Sequence, residues 1–385
     1  MKIFIFIKDM KSENYTELSP EELFYLMALT RVQRLGSVGI RKLLQQFGKA
    51  QEVFRASLKD LAEITGTLIA ENIKIFDDFH LVENELKVCE REGIDILHWF
   101  HPEYPFRLLH ISDSPVILFR KGNGGHPHNR MMAVVGTRKM TPYGKQFIEQ
   151  FIRDLVPYNP VIVSGLAYGV DIEAHKQAMA NGLITVAVLG TPVHKVYPGV
   201  HQAEADELLR KGGAIYSETW SSEKMDPNFF LRRNRIVAGM TEATVVVESA
   251  RKGGALTTAE MALSYNRDVF AVPGRTTDTY SEGTNHLIKT EKARMLTGVD
   301  DLVWHMNWPK PEEENKRRPV QRNLFPELDD DERRLMTFLA ERGASHADVL
   351  AVELNWPVSK VNNVLLMLEL KGVVQALPGR KYELV

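Results

Sequence analysis

Residues 131–171, MMAVVGTRKMTPYGKQFIEQFIRDLVPYNPVIVSGLAYGVD, constrain the fold more than any other stretch. An apolar run, Met131 to Val135, stops at Gly136, and a polar loop, Thr137 to Gly144, follows. Phe147, Ile148, Phe151, Ile152 and Leu155 then recur at three- and four-residue steps, the spacing of one helical face. A second apolar run, Val161 to Val163, ends in Ser164-Gly165. Strand, loop, helix and strand in this order make a parallel pair with a right-handed crossover. Such sheets form their ligand crevice at the carboxyl ends of the strands.

The alternation continues. Residues 172–180 read as a helix stopped by Asn181-Gly182, 185–189 as a strand ending at Gly190, and 200–211 as a helix closed by Gly212-Gly213. Residues 214–217 read as a strand, 229–240 as a basic helix or turn, 244–248 as a strand, 256–265 as its helix and 269–272 as the last strand. Six apolar runs with helices between them predict an α/β domain over 91–305, a doubly wound, Rossmann-like parallel sheet. Its lead-in has two strand-like runs, Ile94–His98 and Val116–Arg120, around a Pro-rich turn, then the loop Lys121 to Arg130.

Three further segments flank this domain. Residues 1–90 predict a small helical module of helix-hairpin-helix or SAM-like type, after a start (1–18) that is either a short strand or a loose tail. There Ser19-Pro20-Glu21-Glu22 is a capped helix start with a capping box, and Gly36 and Gly39 punctuate a turn before Ile40, Leu43, Leu44 and Phe47. Glycine amides in such a hairpin approach a phosphate, or the module merely packs; a degenerate second copy stands at Ile64-Thr65-Gly66. Residues 306–328, rich in Pro and charge, predict a linker. Residues 329–385 carry three helical patterns and a hairpin around Pro378-Gly379, the order of a winged helix. Its third helix is mostly apolar, with Ser359, Lys360, Asn362 and Asn363 presentable to DNA, so a protein contact competes with base reading.

Net charge is -2, which excludes a global basic footprint; nucleic acid would have to meet local charge. The single cysteine, Cys89, excludes a disulfide framework or a cysteine-based zinc cluster and fits a reducing, cytoplasmic setting, with Cys89 itself a small core residue of a helix. The apolar start MKIFIFI is too short for a signal core, and no segment is long enough to span a bilayer, so no membrane partner is expected.

Neither standard nucleotide loop is present. GTRKMTPYG lacks the G-x-G-x-x-G spacing, and Gly144-Lys145 is followed by Gln146 without the upstream glycine of a P-loop. What recurs is a glycine turn at strand ends, often with a cation: Gly136-Thr137-Arg138, Ser164-Gly165 through Tyr168-Gly169, Gly190 leading to Lys195, and Gly253-Gly254. Four such turns on one rim favour an anionic ligand over tight packing alone. The densest charge lies in FFLRRNRIVAGM, where Arg232, Arg233 and Arg235 flank Asn234 and follow Phe229 and Phe230, with Arg251 and Lys252 further on. Arginine forks pair with phosphate, and aromatic faces such as Phe230, Tyr168 and Tyr197 stack on unpaired bases. The competing reading salt-bridges the arginines and buries the phenylalanines. Asp171 and His175, four residues apart, are either an acid–base pair or a helix cap that orients the preceding loop. No HExxH, G-x-S-x-G or Asp-rich metal cluster occurs.

These motifs (GTR at 136–138, SGLAYGVD at 164–171 with His175, YP at 197–198, RRNRIVAG at 232–239, GGALTTA at 253–259 and VFAVPG at 269–274) resemble the DNA-processing protein A family, DprA, also called Smf. The resemblance covers roughly 100–300, with PEYPFRLLHISDSPVILFRKG as the family's lead-in and the two flanking modules as its commonest architecture. It implies a homodimer that binds single-stranded DNA, displaces single-strand binding protein and loads the RecA recombinase during natural transformation. It implies no catalysis and no metal or other cofactor. Carried over, the DNA pocket would use Gly136, Thr137, Arg138, the Ser164–Gly169 loop, Arg233, Asn234 and Arg235. The chain departs where some relatives have lysines, at Tyr168 and in GVHQAEAD, and Leu231 replaces a frequent proline. The enzyme alternative is a nucleotide phosphoribohydrolase-like activity: KGGALTTAE resembles PGGxGTxxE, with Glu260 assisting N-glycosidic hydrolysis, but Leu256 and Lys252 stand where that motif has glycine and proline.

Overall fold

In the computed structural model the described residues are 18–124, 130–309, 328–371, 373–377 and 381–384. The chain divides into two compact units, Met1–Trp308 and Pro309–Val385. Among the described residues the larger unit is built on nine strands: β1 (Asp95–His98), β2 (Ile117–Gly122), β3 (Met131–Val135), β4 (Val161–Ser164), β5 (Thr185–Val188), β6 (Ala214–Ser217), β7 (Ala243–Val246), β8 (Asp268–Ala271) and β9 (Arg294–Met295). Their order across the sheet is β1-β2-β6-β5-β4-β3-β7-β8-β9. The six predicted runs, β3 to β8, are parallel throughout. β1 and β2 pair with each other and extend the sheet antiparallel at β6. β9, two residues long, adds a parallel edge and is too short to show any periodicity in sequence.

Alternation of side chains sets the layers. Met131, Ala133 and Val135 of β3 enter one core, while Met132 and Val134 enter another on the opposite face. Helix Pro142–Leu155 covers the second face with Ile148, Phe151, Ile152 and Leu155, the stripe read from sequence. Helices Pro227–Met240 and Gly254–Ser264 cover the first. The basic segment is thus a helix, started by Asp226, which accepts from Asn228 N–H at 2.8 Å. From β3 the chain winds outward through β4, β5 and β6, and from β7 it winds the other way. β3 and β7 are neighbours, so their carboxyl ends frame the topological switch point.

The N-terminal helices from Pro20 to Glu92 share the first core rather than forming a separate one. Ser19 caps Pro20–Leu29 through Glu22 N–H at 3.2 Å, but the Glu22 carboxylate turns away from the expected box and accepts from the amides of Ala50 and Gln51, at the start of helix Ala50–Arg55. Cys89 is buried in helix Phe79–Glu92, and burial pushes its thiol up to about 12. The smaller unit has helices Asp330–Arg342, Ala347–Leu354 and Val358–Leu370 and a three-stranded sheet of Ser345–His346, Val374–Leu377 and Lys381–Leu384. In it Lys360 is held by Asp331 at 2.7 Å, while Ser359, Asn362 and Asn363 stay exposed beside Leu366, Met367 and Leu370. The readings made for residues 1–17, 125–129, 310–327 and the 378–380 turn lie outside the described residues.

Candidate nucleic-acid interface

Three loops meet at the switch point. The first, after β3, is fixed by Glu248, which follows β7 and is buried. Its backbone carbonyl accepts from Thr137 N–H at 2.7 Å, and its carboxylate accepts from Thr141 N–H at 2.9 Å and the Thr141 hydroxyl at 2.5 Å. Thr141 in turn caps helix Pro142–Leu155, so one carboxylate anchors both the loop and the helix start, where negative charge is favourable. The loop presents Arg138, which is exposed and makes no ion pair with a described residue.

The second loop follows β4. Asp171 Oδ2 accepts from Gly165 N–H at 3.1 Å and so pins the loop. Over Gly165 lies the guanidinium of Arg233: a Cβ on Gly165 would sit 1.5 Å from Nη1. Only glycine admits the arginine there. Arg233 Nη1 donates to Val188 O at 2.7 Å, and its buried Nε has no partner among the described residues. Burial lowers the Arg233 pKa, against the pull of Asp171; burial likewise raises that of Asp171, against Arg233 and the loop amides. His175 is engaged elsewhere: Thr185 Oγ1 donates to Ile162 O at 2.7 Å and therefore accepts from His175 Nδ1–H at 2.6 Å. Burial holds the imidazole neutral, its pKa pushed down to about 3. Asp171 and His175 are two separate struts: Asp171 orients the preceding loop, but it does not cap its helix, whose N-cap is Gly169 with Asp171 inside the first turn.

The third loop, Ser249 to Gly253, precedes helix Gly254–Ser264, whose first turn has no capping side chain. Together the loops and helix Pro227–Met240 enclose a groove of about 290 Å³. Of the residues named from sequence, Gly136, Thr137, Arg138, Gly165, Phe230, Arg233, Asn234, Gly253 and Gly254 line it. Val135, Ala167, Asp171, Leu231, Val237, Ser249, Ala250, Ala255 and Thr258 complete the lining. Ser249 and Ala250 were invisible as site residues because only the strand order places their loop beside Gly136.

Several expected site residues stand elsewhere. Ser164 is a buried strut whose hydroxyl donates to Val134 O at 2.6 Å. Tyr168 points outward, 46% exposed, with its ring edge on His201. Gly169 serves the backbone: its φ is +77° and a Cβ would meet Thr137 O at 2.2 Å. Arg235 pairs with Glu218 and donates to Asp113 O, and Arg232 Nη2 lies 3.5 Å from the same carboxylate. Both face a different cleft, because at positions 232, 233 and 235 the helix turns Arg233 alone toward the groove. Lys195 lines a separate pocket and donates to Ser221 O at 3.3 Å. The amides of Thr137, Gly165 and Gly253 are also engaged within the protein. The groove's positive charge therefore comes from Arg138, Arg233 and the uncapped helix start.

Residues 95–307 match the family model described as DNA recombination-mediator protein A. The chain belongs to this family. Residues 322–380 match the DprA winged helix domain. Protein Smf of Escherichia coli K12 is 36% identical over 288 residues, 72% of this chain and 74% of its own length. DNA processing protein DprA of Streptococcus pneumoniae R6 is 36% identical over 250 residues, 64% of this chain and 86% of its own. The crystal structure of DNA processing protein A from Streptococcus pneumoniae superposes with a TM-score of 0.61 at 31% identity, over 75% of this chain and 98% of that one. For this family member no helix among the described residues is long and apolar enough to cross a membrane.

Proposed function

We propose that this chain binds single-stranded DNA across the carboxyl rim of its sheet, with the groove at the switch point seating the sugar-phosphate backbone. The observation that carries the reading is the pairing of two guanidiniums with a glycine-lined wall. Arg233 rises from the floor over Gly165, Arg138 stands at the rim with no ion pair to a described residue, and an uncapped helix start completes the charge. Cations, helix dipole and the Phe230 face are the equipment of a sequence-tolerant strand binder. The groove has no use for a double helix, whose bases are already stacked and paired.

Binding rather than catalysis is the favoured reading. Glu260, the acid that the phosphoribohydrolase alternative requires, is exposed beside Lys292 at 3.4 Å and does not line the groove. Handing the strand to the RecA recombinase, displacing single-strand binding protein, acting as a homodimer and working in the cytoplasm during natural transformation rest on family membership alone. The test is Arg138→Ala in fluorescence anisotropy with matched single- and double-stranded oligonucleotides. Affinity for every single-stranded sequence should fall alike, with the salt slope reduced by about 0.7, the share of one neutralised phosphate. Unchanged single-strand binding would sink the reading, as would free base released from nucleoside monophosphates in a Glu260-dependent way.

A further inference from the structure

Beside the groove lies a second pocket, of about 400 Å³, that the backbone contacts leave unexplained. The two are separated by consecutive residues of one helix. Phe230 lines the groove, while Phe229 lines the second pocket. Gly190 makes the wall thin: a Cβ there would come within 2.9 Å of the Phe230 ring. Tyr197 stands on the same wall, its ring centroid 5.4 Å from that of Phe230 and its side chain 40% exposed in the pocket. Met225, 59% exposed, and Phe229 supply further apolar faces, and Lys195 and Lys224 supply cations.

We infer that this pocket is a nucleobase subsite: it takes the unpaired base of a nucleotide whose neighbouring phosphate sits in the groove. This rests on the single-strand reading and extends it. An aromatic ring and a thioether around a void with room for a base suit a flat, polarisable heterocycle. The lysines suit the phosphate that follows it. A base engaged in a duplex cannot enter, so the pocket discriminates strands by accessibility rather than sequence. The N-terminal helices do not line the pocket, but they hold the segment that does, Thr219 to Met225. The buried carboxylate of Glu85 accepts from Ser221 N–H at 2.9 Å and from the Ser221 hydroxyl, and Arg31 pairs with Glu223 at 2.5 Å. The helical module thereby anchors one wall of the subsite without entering it.

The test compares a thymidine hexanucleotide with a hexamer of abasic sugar-phosphates, which carries the same charge and no bases, by competition anisotropy. Wild type should favour the thymidine strand by at least about 10-fold, the order expected for base stacking. Tyr197→Ala should cut that ratio by about 10-fold, and Met225→Ala, a second exposed position, should cut it in the same direction. The salt slope should not move in either variant, since neither side chain neutralises a phosphate. A ratio that holds in both variants would place base recognition elsewhere and overturn the subsite while leaving the groove intact. Failure of wild type to bind either hexamer, or a longer strand, would remove the single-strand reading itself and the subsite with it.

Discussion

Gly165→Ala is the sharpest perturbation available at the groove floor, because its consequence follows from one distance. The new Cβ would fall 1.5 Å from Arg233 Nη1 and 2.3 Å from Cζ. Ordinary contact between such atoms is about 3.5 Å, so the guanidinium must retreat by roughly 2 Å. The bond from Nη1 to Val188 O, now 2.7 Å, cannot survive that shift. A hydrogen bond to a charged group contributes about 1.5–3 kcal/mol, and a buried cation without a partner costs more. The variant should therefore lose about 2–4 kcal/mol in urea unfolding, and single-strand affinity should drop together with it. Removing the arginine removes the clash. Gly165→Ala combined with Arg233→Ala should be no less stable than Arg233→Ala alone, giving a coupling of about 2–4 kcal/mol in the double-mutant cycle, the whole cost of the single change. A coupling under about 0.5 kcal/mol would refute the claim that Arg233 fills the space a side chain would take.

Two other outcomes test the surrounding network. Arg235→Ala should act on stability and not on the salt slope of DNA binding, because its side chain, 11% exposed, is engaged with Glu218; urea titration should show a loss of about 3 kcal/mol. A pronounced slope change instead would return Arg235 to the interface. His175 titrates near 6.5 when unfolded and at about 3 when folded, so the unfolded state takes up the proton first and stability falls as pH drops below about 6.5, by up to about 1.4 kcal/mol per unit. His98, pushed down to about 4 by burial, acts in the same direction. His175→Gln should flatten, though not abolish, the decline between pH 6.5 and 4, as measured by chemical unfolding across that range; an unchanged slope would mean that the imidazole is not held neutral in the fold.

The α/β sheet was legible because its signal repeats: each buried parallel strand is a short apolar run, and most run into a Gly, Ser or Ala within two residues. The helix stripe of Ile148, Phe151, Ile152 and Leu155 was legible for the same reason. What sequence could not show was direction around a helix relative to a groove that three distant loops create. Arg232, Arg233 and Arg235 look equivalent as text. In the fold, Arg233 lies over Gly165 while the other two lean on Glu218. Loop amides posed the same problem. Gly165 N–H reads as an anion donor until Asp171, six residues on, is seen to occupy it. Glu248 carried no motif at all, and its role emerges only because β7 lies next to β3. Glu22 kept its helix start but sent its carboxylate to another helix, a tertiary interaction that outweighed the local cap.

The central claim is that guanidiniums at the switch point meet the phosphates of an unpaired strand. The most direct measurement is the affinity of the wild-type chain for a single-stranded oligonucleotide as salt rises, beside the same sequence as a duplex. With at least two phosphates neutralised, log affinity against log salt should fall with a slope of about -1.4 or steeper, and the single strand should bind more tightly throughout. A flat salt response, or equal affinity for the duplex, would contradict the account.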